Sequence, residues 1–153
     1  MQSLLHWLES TNLAISVSGS TMLTASLSAV HVIGFTLVVG GALVANLHGL
    51  GALFRKRNVD VVGPTNRAIL VGLAISIATG VVLFSARATE VAENGTFRLK
   101  MLLLVLAVLI HFVFQAPEAK RVDAPRRVRT ASAVSLTLWL GLAATACAFI
   151  LLE

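Results

Sequence analysis

The chain has 153 residues, 57% of them hydrophobic and only 12% charged, with a formal net charge of +5 and a mean hydropathy of +0.89. About a quarter of the residues in a soluble domain are charged, so a soluble globular fold is excluded and an integral membrane protein is expected. The basic excess, 12 Lys and Arg against 7 Asp and Glu, gathers in two short stretches beside apolar runs, where such residues set topology. It forms no patch with interleaved aromatics of the kind nucleic acid needs.

Residues 1–24 read as an interfacial segment. Leu4, Leu5, Trp7 and Leu8 share one broad face of a short amphipathic helix, with His6 and Glu9 at i and i+3. The run Ser16 to Ser20 is rich in Ser, Thr and Gly and is expected to turn the chain into the membrane. The N-terminus has no positive leader and Glu9 interrupts its apolar stretch, so no cleavable signal is expected.

Four runs approach the roughly 20 apolar residues that a membrane helix requires. They cover residues 26–54, 68–86, 99–115 and 131–152. Only helices pair every backbone group inside lipid at these lengths. The expected fold is therefore all-α: one transmembrane domain over 1–153, an up-down four-helix bundle with short connections.

The first connection holds Arg55, Lys56, Arg57 and Arg67 against Asp60. The third holds Lys120, Arg121, Arg126, Arg127 and Arg129 against Glu118 and Asp123. The positive-inside rule puts both in the cytoplasm and both termini outside, which in a bacterial inner membrane means the periplasm. Gly34, Gly40, Gly41, Gly72, Gly80 and Gly141 mark places where helices can approach closely or leave room for a flat cofactor. The single cysteine, Cys147, is expected to be a small buried apolar residue.

Ionisable side chains in a membrane are costly unless used or paired. Three of the four histidines, His31, His48 and His111, lie inside apolar runs. His48 is six residues before Phe54 and His111 four before Gln115, about 9 Å and 6 Å from the same end of their helices. His31 lies about 25 Å further up the first helix, on the side where His6 is expected. Depth thus sorts the histidines into His48 with His111 and His31 with His6, the arrangement of one or two b-type haems held between imidazoles.

Met22 and Met101 are substitutes for His6. Arg55, Arg57 and Lys120 on the inner side and Arg87, Arg98 and Lys100 on the outer are candidate partners for haem propionates. Alternatively each histidine simply bonds a hydroxyl, with Ser76, Thr79, Ser135, Thr137 and Thr145 at hand. No carboxylate lies in the spans, which argues against an ion transporter.

The motifs WLEST at 7–11, HVIGFTLVVGG at 31–41, NLHGLGALFRKR at 46–57, ATGVVLFSA at 78–86 and NGTFRLK at 94–100 resemble, in that order, the DUF6644-like group of small bacterial four-helix membrane proteins. The likeness covers roughly residues 5–112. The start of the first span also resembles cytochrome b561-like and CopD-like bundles, and that resemblance implies a haem-ligand role for His31. Where the group carries D-L-R-L-L-G, this chain reads Asn46-Leu47-His48-Gly49-Leu50-Gly51. His111 likewise stands where an asparagine or small residue is expected. Both departures add a histidine at one depth.

The expected function is a membrane cytochrome b subunit, not an enzyme by itself. It would carry electrons between a periplasmic redox protein and the quinone pool or another membrane subunit, within a hetero- or homo-oligomer. A cofactor-free anchor or assembly subunit and a copper-handling membrane protein are the alternatives.

Overall fold

The structure, a computed structural model, describes residues 2–53, 61–115 and 126–152. Among these, seven α-helices occur: α1 (Gln2–Glu9), α2 (Asn12–Ser18), α3 (Thr21–Gly49), α4 (Val62–Ala86), α5 (Ala88–Glu93), α6 (Gly95–Ile110) and α7 (Arg126–Leu152). A π-turn over His111–Gln115 continues α6. The helices α3, α4, α6 with its extension, and α7 are long and apolar enough to cross a membrane. The all-α bundle expected from hydropathy is present.

The helix ends follow local chemistry rather than hydropathy. Ser20 caps α3 through a bond from Leu23 N–H, so the first span begins at Thr21 and not at residue 26. It stops at Gly49, short of residue 54, where Gly51 takes a φ of 77° that other residues rarely adopt. The second span starts earlier than residue 68 because Pro64 fits the first turn of α4. Asn94 caps α6 through Thr96 N–H and Phe97 N–H, which moves that start from residue 99 to Gly95. The turn expected at Ser16 to Ser20 shrinks to Gly19 and Ser20. Ser16 bonds back to the Asn12 carbonyl, and residues 12–18 are helical.

Helices α3 and α4 form the tightest pair. A Cβ on Gly72 would fall 2.6 Å from the Gly34 carbonyl oxygen and 2.9 Å from Val38 N. Only glycine allows this approach, because the obstacle is backbone. Further along, Gly41 lies against Thr65 and Ile69. Partner numbers fall along α4 as they rise along α3, so the pair is antiparallel. Helix α7 packs on both α3 and α6. Val38, Ala42, Ile69, Ala107, Trp139 and Leu142 form the shared core.

Large apolar side chains on every long helix face outward, among them Val32, Ile33, Val71, Ile77, Val105, Leu109, Val134 and Leu140. This exposed belt needs lipid as its solvent. Cys147 is exposed too, which corrects the expectation of burial. It sits about 140° around α7 from the buried Leu142.

The short helices α1, α2 and α5 cover one end of the bundle, the capped end. Leu5 and Leu8 of α1 are half-buried while Leu4 and Trp7 are exposed, so the expected apolar face divides between protein and surroundings. Glu9 Oε1 accepts Thr89 N–H at 2.7 Å and Thr89 Oγ1–H at 2.6 Å, tying α1 to the first turn of α5. These bonds hold the Glu9 carboxyl below its usual range, the Thr89 hydroxyl first.

Candidate functional site

His31 lies one turn before Gly34 on α3, on the side that meets α4. Its Nδ1 is 3.0 Å from Thr79 Oγ1. With its proton on the Ile75 carbonyl, 2.7 Å away, the Thr79 hydroxyl accepts from His31. In that arrangement Nδ1 carries the hydrogen and Nε2 keeps a lone pair.

Gly80 faces the same ring, where a Cβ would sit 3.1 Å from His31 Cε1. The imidazole thus occupies the clearance that glycine leaves. The Lys100 ammonium stands 5.9 Å from the Phe35 ring centroid, and Phe35 is one turn beyond His31 on α3. A half-buried imidazole with a basic Nε2 and a cation nearby can hold a metal centre that bears carboxylates. It can equally accept a hydrogen bond from a polar head group.

The other expected cation partners are differently engaged. Arg87 makes a two-pronged pair with Glu90 at 2.9 and 2.6 Å, and Arg98 bonds the Ala92 carbonyl. Arg55, Arg57 and Lys120 lie outside the described residues.

His111 is 1% exposed and opens the π-turn. Its Nε2 is 3.0 Å from Asn66 Oδ1, an acceptor on α4, so Nε2 carries the hydrogen and is not free to bind iron as it stands. His48 is the penultimate residue of α3. Its Nδ1–H donates to the Leu53 carbonyl at 3.2 Å in the turn that follows. His48 lies about 200° around α3 from Asn46, and Asn46 ends the buried stripe Gly34, Val38, Ala42, Asn46.

His6 is exposed, its Nδ1 3.7 Å from Glu9 Oε2. Among the described residues no hydrogen bond or ring contact joins His48 to His111 or His31 to His6, and no group of three His, Cys, Asp or Glu gathers. Met22 is 81% exposed and stands nine residues above His31 on α3, about 13 Å away along its axis.

Sequence reasoning noted Asn46 beside His48 but gave neither it nor Asn66 a part in the site. Asn46, wholly buried, lies one turn beyond core residue Ala42, and Asn66 just before Ile69 on α4. With His111 one turn beyond Ala107 and Ser135 one turn before Trp139, they place a polar group from every long helix in one layer. The signal was there, since Asn46 and Asn66 stand at the ends of α3 and α4 that lie away from the capped end.

Residues 4–151 match a family of unknown function, DUF6644. The chain belongs to the DUF6644 family. The match reaches past the sequence likeness at 5–112 to include all of α7 up to Phe149, Ile150 and Leu151, and hence both polar clusters. No curated protein and no solved structure matches the chain.

Proposed function

We propose that this DUF6644 member is a membrane-embedded cytochrome subunit that binds a b-type haem through His31. It would pass electrons between a redox protein at the capped end and the quinone pool or another membrane subunit. The observation that carries this reading is the state of the His31 ring, with Nδ1–H anchored on Thr79 and Nε2 left basic beside Gly80. Metal-binding imidazoles are oriented in this way, with the ring N–H remote from the metal held by an acceptor.

His31 Nε2 would hold the iron, Thr79 fixes the ring and Gly80 supplies clearance. Lys100 offers its charge to a propionate. Haem bound there supplies a one-electron carrier whose potential follows its axial ligand and the low dielectric around it. A further ligand would come from a partner subunit, a second copy, or His6 after movement of α1. The resemblance of the first span to b561-like and CopD-like bundles also supports the reading. The charge distribution supports an inner-membrane protein with the capped end in the periplasm.

Reduced-minus-oxidised spectra of purified full-length protein test it. Soret and α bands of type b are expected, and His31→Ala is expected to remove them. A colourless protein carrying neither haem nor iron overturns the proposal. A second haem between His48 and His111 requires His111 to give up Asn66, so Asn66→Leu should raise its occupancy if that haem exists.

One observation favours a second reading, a cofactor-free anchor or assembly subunit. Each histidine within the spans already has a protein partner, Thr79, Leu53 or Asn66. Colourless, metal-free protein that co-purifies with a membrane complex would establish it.

A further inference from the structure

Two buried polar atoms in the inner layer have no hydrogen-bond partner among the described residues, Ser135 Oγ and Trp139 Nε1. Both residues are at most 1% exposed, so neither lipid nor bulk water reaches them. An unmet donor at such a depth is expensive, and the surrounding hydrocarbon cannot relieve it.

Ser135 had a local remedy and does not use it. Elsewhere in the spans hydroxyls turn back to their own helix: Thr36 to Val32, Thr65 to Val61, Thr79 to Ile75, and Thr137 to Ala133 in the same helix as Ser135. Ser135 makes no such bond, so its hydroxyl is left for something other than the α7 backbone. The indole N–H of Trp139 is a donor only. The two residues stand one turn apart on one face of α7, a rise of about 6 Å. Two hydrogen bonds of about 2.9 Å placed end to end cover that distance.

The layer around them is polar on every helix. Asn46, His111 and Ser132 are buried there, and Asn66 holds His111 from α4. The π-turn starts at His111, and such turns often mark functional positions in helices. The described spans carry no carboxylate, which disfavours a metal cation. The full enclosure disfavours anything the size of a quinone head.

We propose that the inner layer binds one small neutral hydrogen-bonding molecule, water, which accepts from Trp139 Nε1–H and bonds Ser135 Oγ. Internal water in proteins characteristically satisfies two to four otherwise unmet polar groups. This site is independent of the His31 reading and stands whether or not haem binds.

The test uses full-length protein with ¹⁵N-labelled indoles in nanodiscs of deuterated lipid. The chain has two tryptophans, and Trp7, which is 64% exposed, supplies the reference. The Trp139 indole proton should appear at the downfield position of a hydrogen-bonded N–H. It should also show cross-relaxation to water despite its burial. Ser135→Ala should weaken that cross-peak at least twofold and lower Tm by about 2–4 °C, the shift expected from losing one buried hydrogen bond in a chain of this size. An upfield indole proton with no water cross-peak overturns the proposal, as does an unchanged or higher Tm for Ser135→Ala. Should that variant fail to fold, the wild-type indole spectrum decides alone.

Discussion

The cluster at His31, nearer the capped end, and the layer at His111, nearer the other end of the bundle, use the same side chain to opposite effect. At His31 the hydrogen-bond partner is a hydroxyl that has already spent its proton on Ile75, and the imidazole is left with a basic Nε2. At His111 the partner is an amide oxygen, and the nitrogen most often used for ligation becomes a donor. Burial sharpens the contrast. His31 is half-buried beside a glycine, whereas His111 is sealed within the bundle. A histidine in a membrane helix is thus not one signal but two, and the neighbour's hydrogen-bonding role separates them.

The largest test of this contrast falls on the inner layer. Asn66→Leu leaves His111 Nε2–H buried without its acceptor and should cost about 1–2 kcal/mol. Thermal or chemical unfolding in detergent would measure it, and a cost near zero would mean that His111 has another ready acceptor. Thr79→Val should cost less, about 0.5–1 kcal/mol, because half-buried His31 can find a substitute. Its larger effect should be functional. Without an acceptor at Nδ1 the ring loses its fixed orientation, and haem occupancy at His31 should fall. An unchanged spectrum would remove Thr79 from the site.

The smallest effect concerns the capped end, through the pH dependence of the Glu9 clamp. Its carboxyl is held below the usual range in the folded chain. A carboxyl depressed on folding contributes stability that is complete above its unfolded pKa and is lost as pH falls through its folded one. Hydrogen-exchange protection of α1 should therefore fall only in acid, and Glu9→Gln should abolish that pH dependence. Protection of α1 that never responds to acid would show that Leu5 and Leu8 alone hold the helix.

The alternatives written into the sequence resolve unevenly. Thr79, one of the hydroxyls within the spans, is the partner of His31, as simple hydrogen bonding would have it. Ser135, another of them, bonds neither a histidine nor its own helix. Gly72 and Gly80 share a face, and both turn out to meet α3. One admits the Gly34 backbone and the other the His31 ring. Lys100 alone of the outer cations turns toward the bundle, over Phe35.

The sequence by itself determined that the chain forms four helices long and apolar enough to cross a membrane, because long apolar runs can satisfy their backbone in lipid in only one way. It also set the spacing of His31 and His48 along one helix, since rise per residue is constant, but not their distance from its end, because α3 stops at Gly49 and leaves His48 one residue from that end rather than six. Azimuth and partner were decided only in the assembled bundle. Whether two imidazoles at one depth face each other depends on which helices are neighbours and how each is rotated. That rotation comes from the close Gly34–Gly72 contact and the packing around Trp139, between residues far apart in the chain.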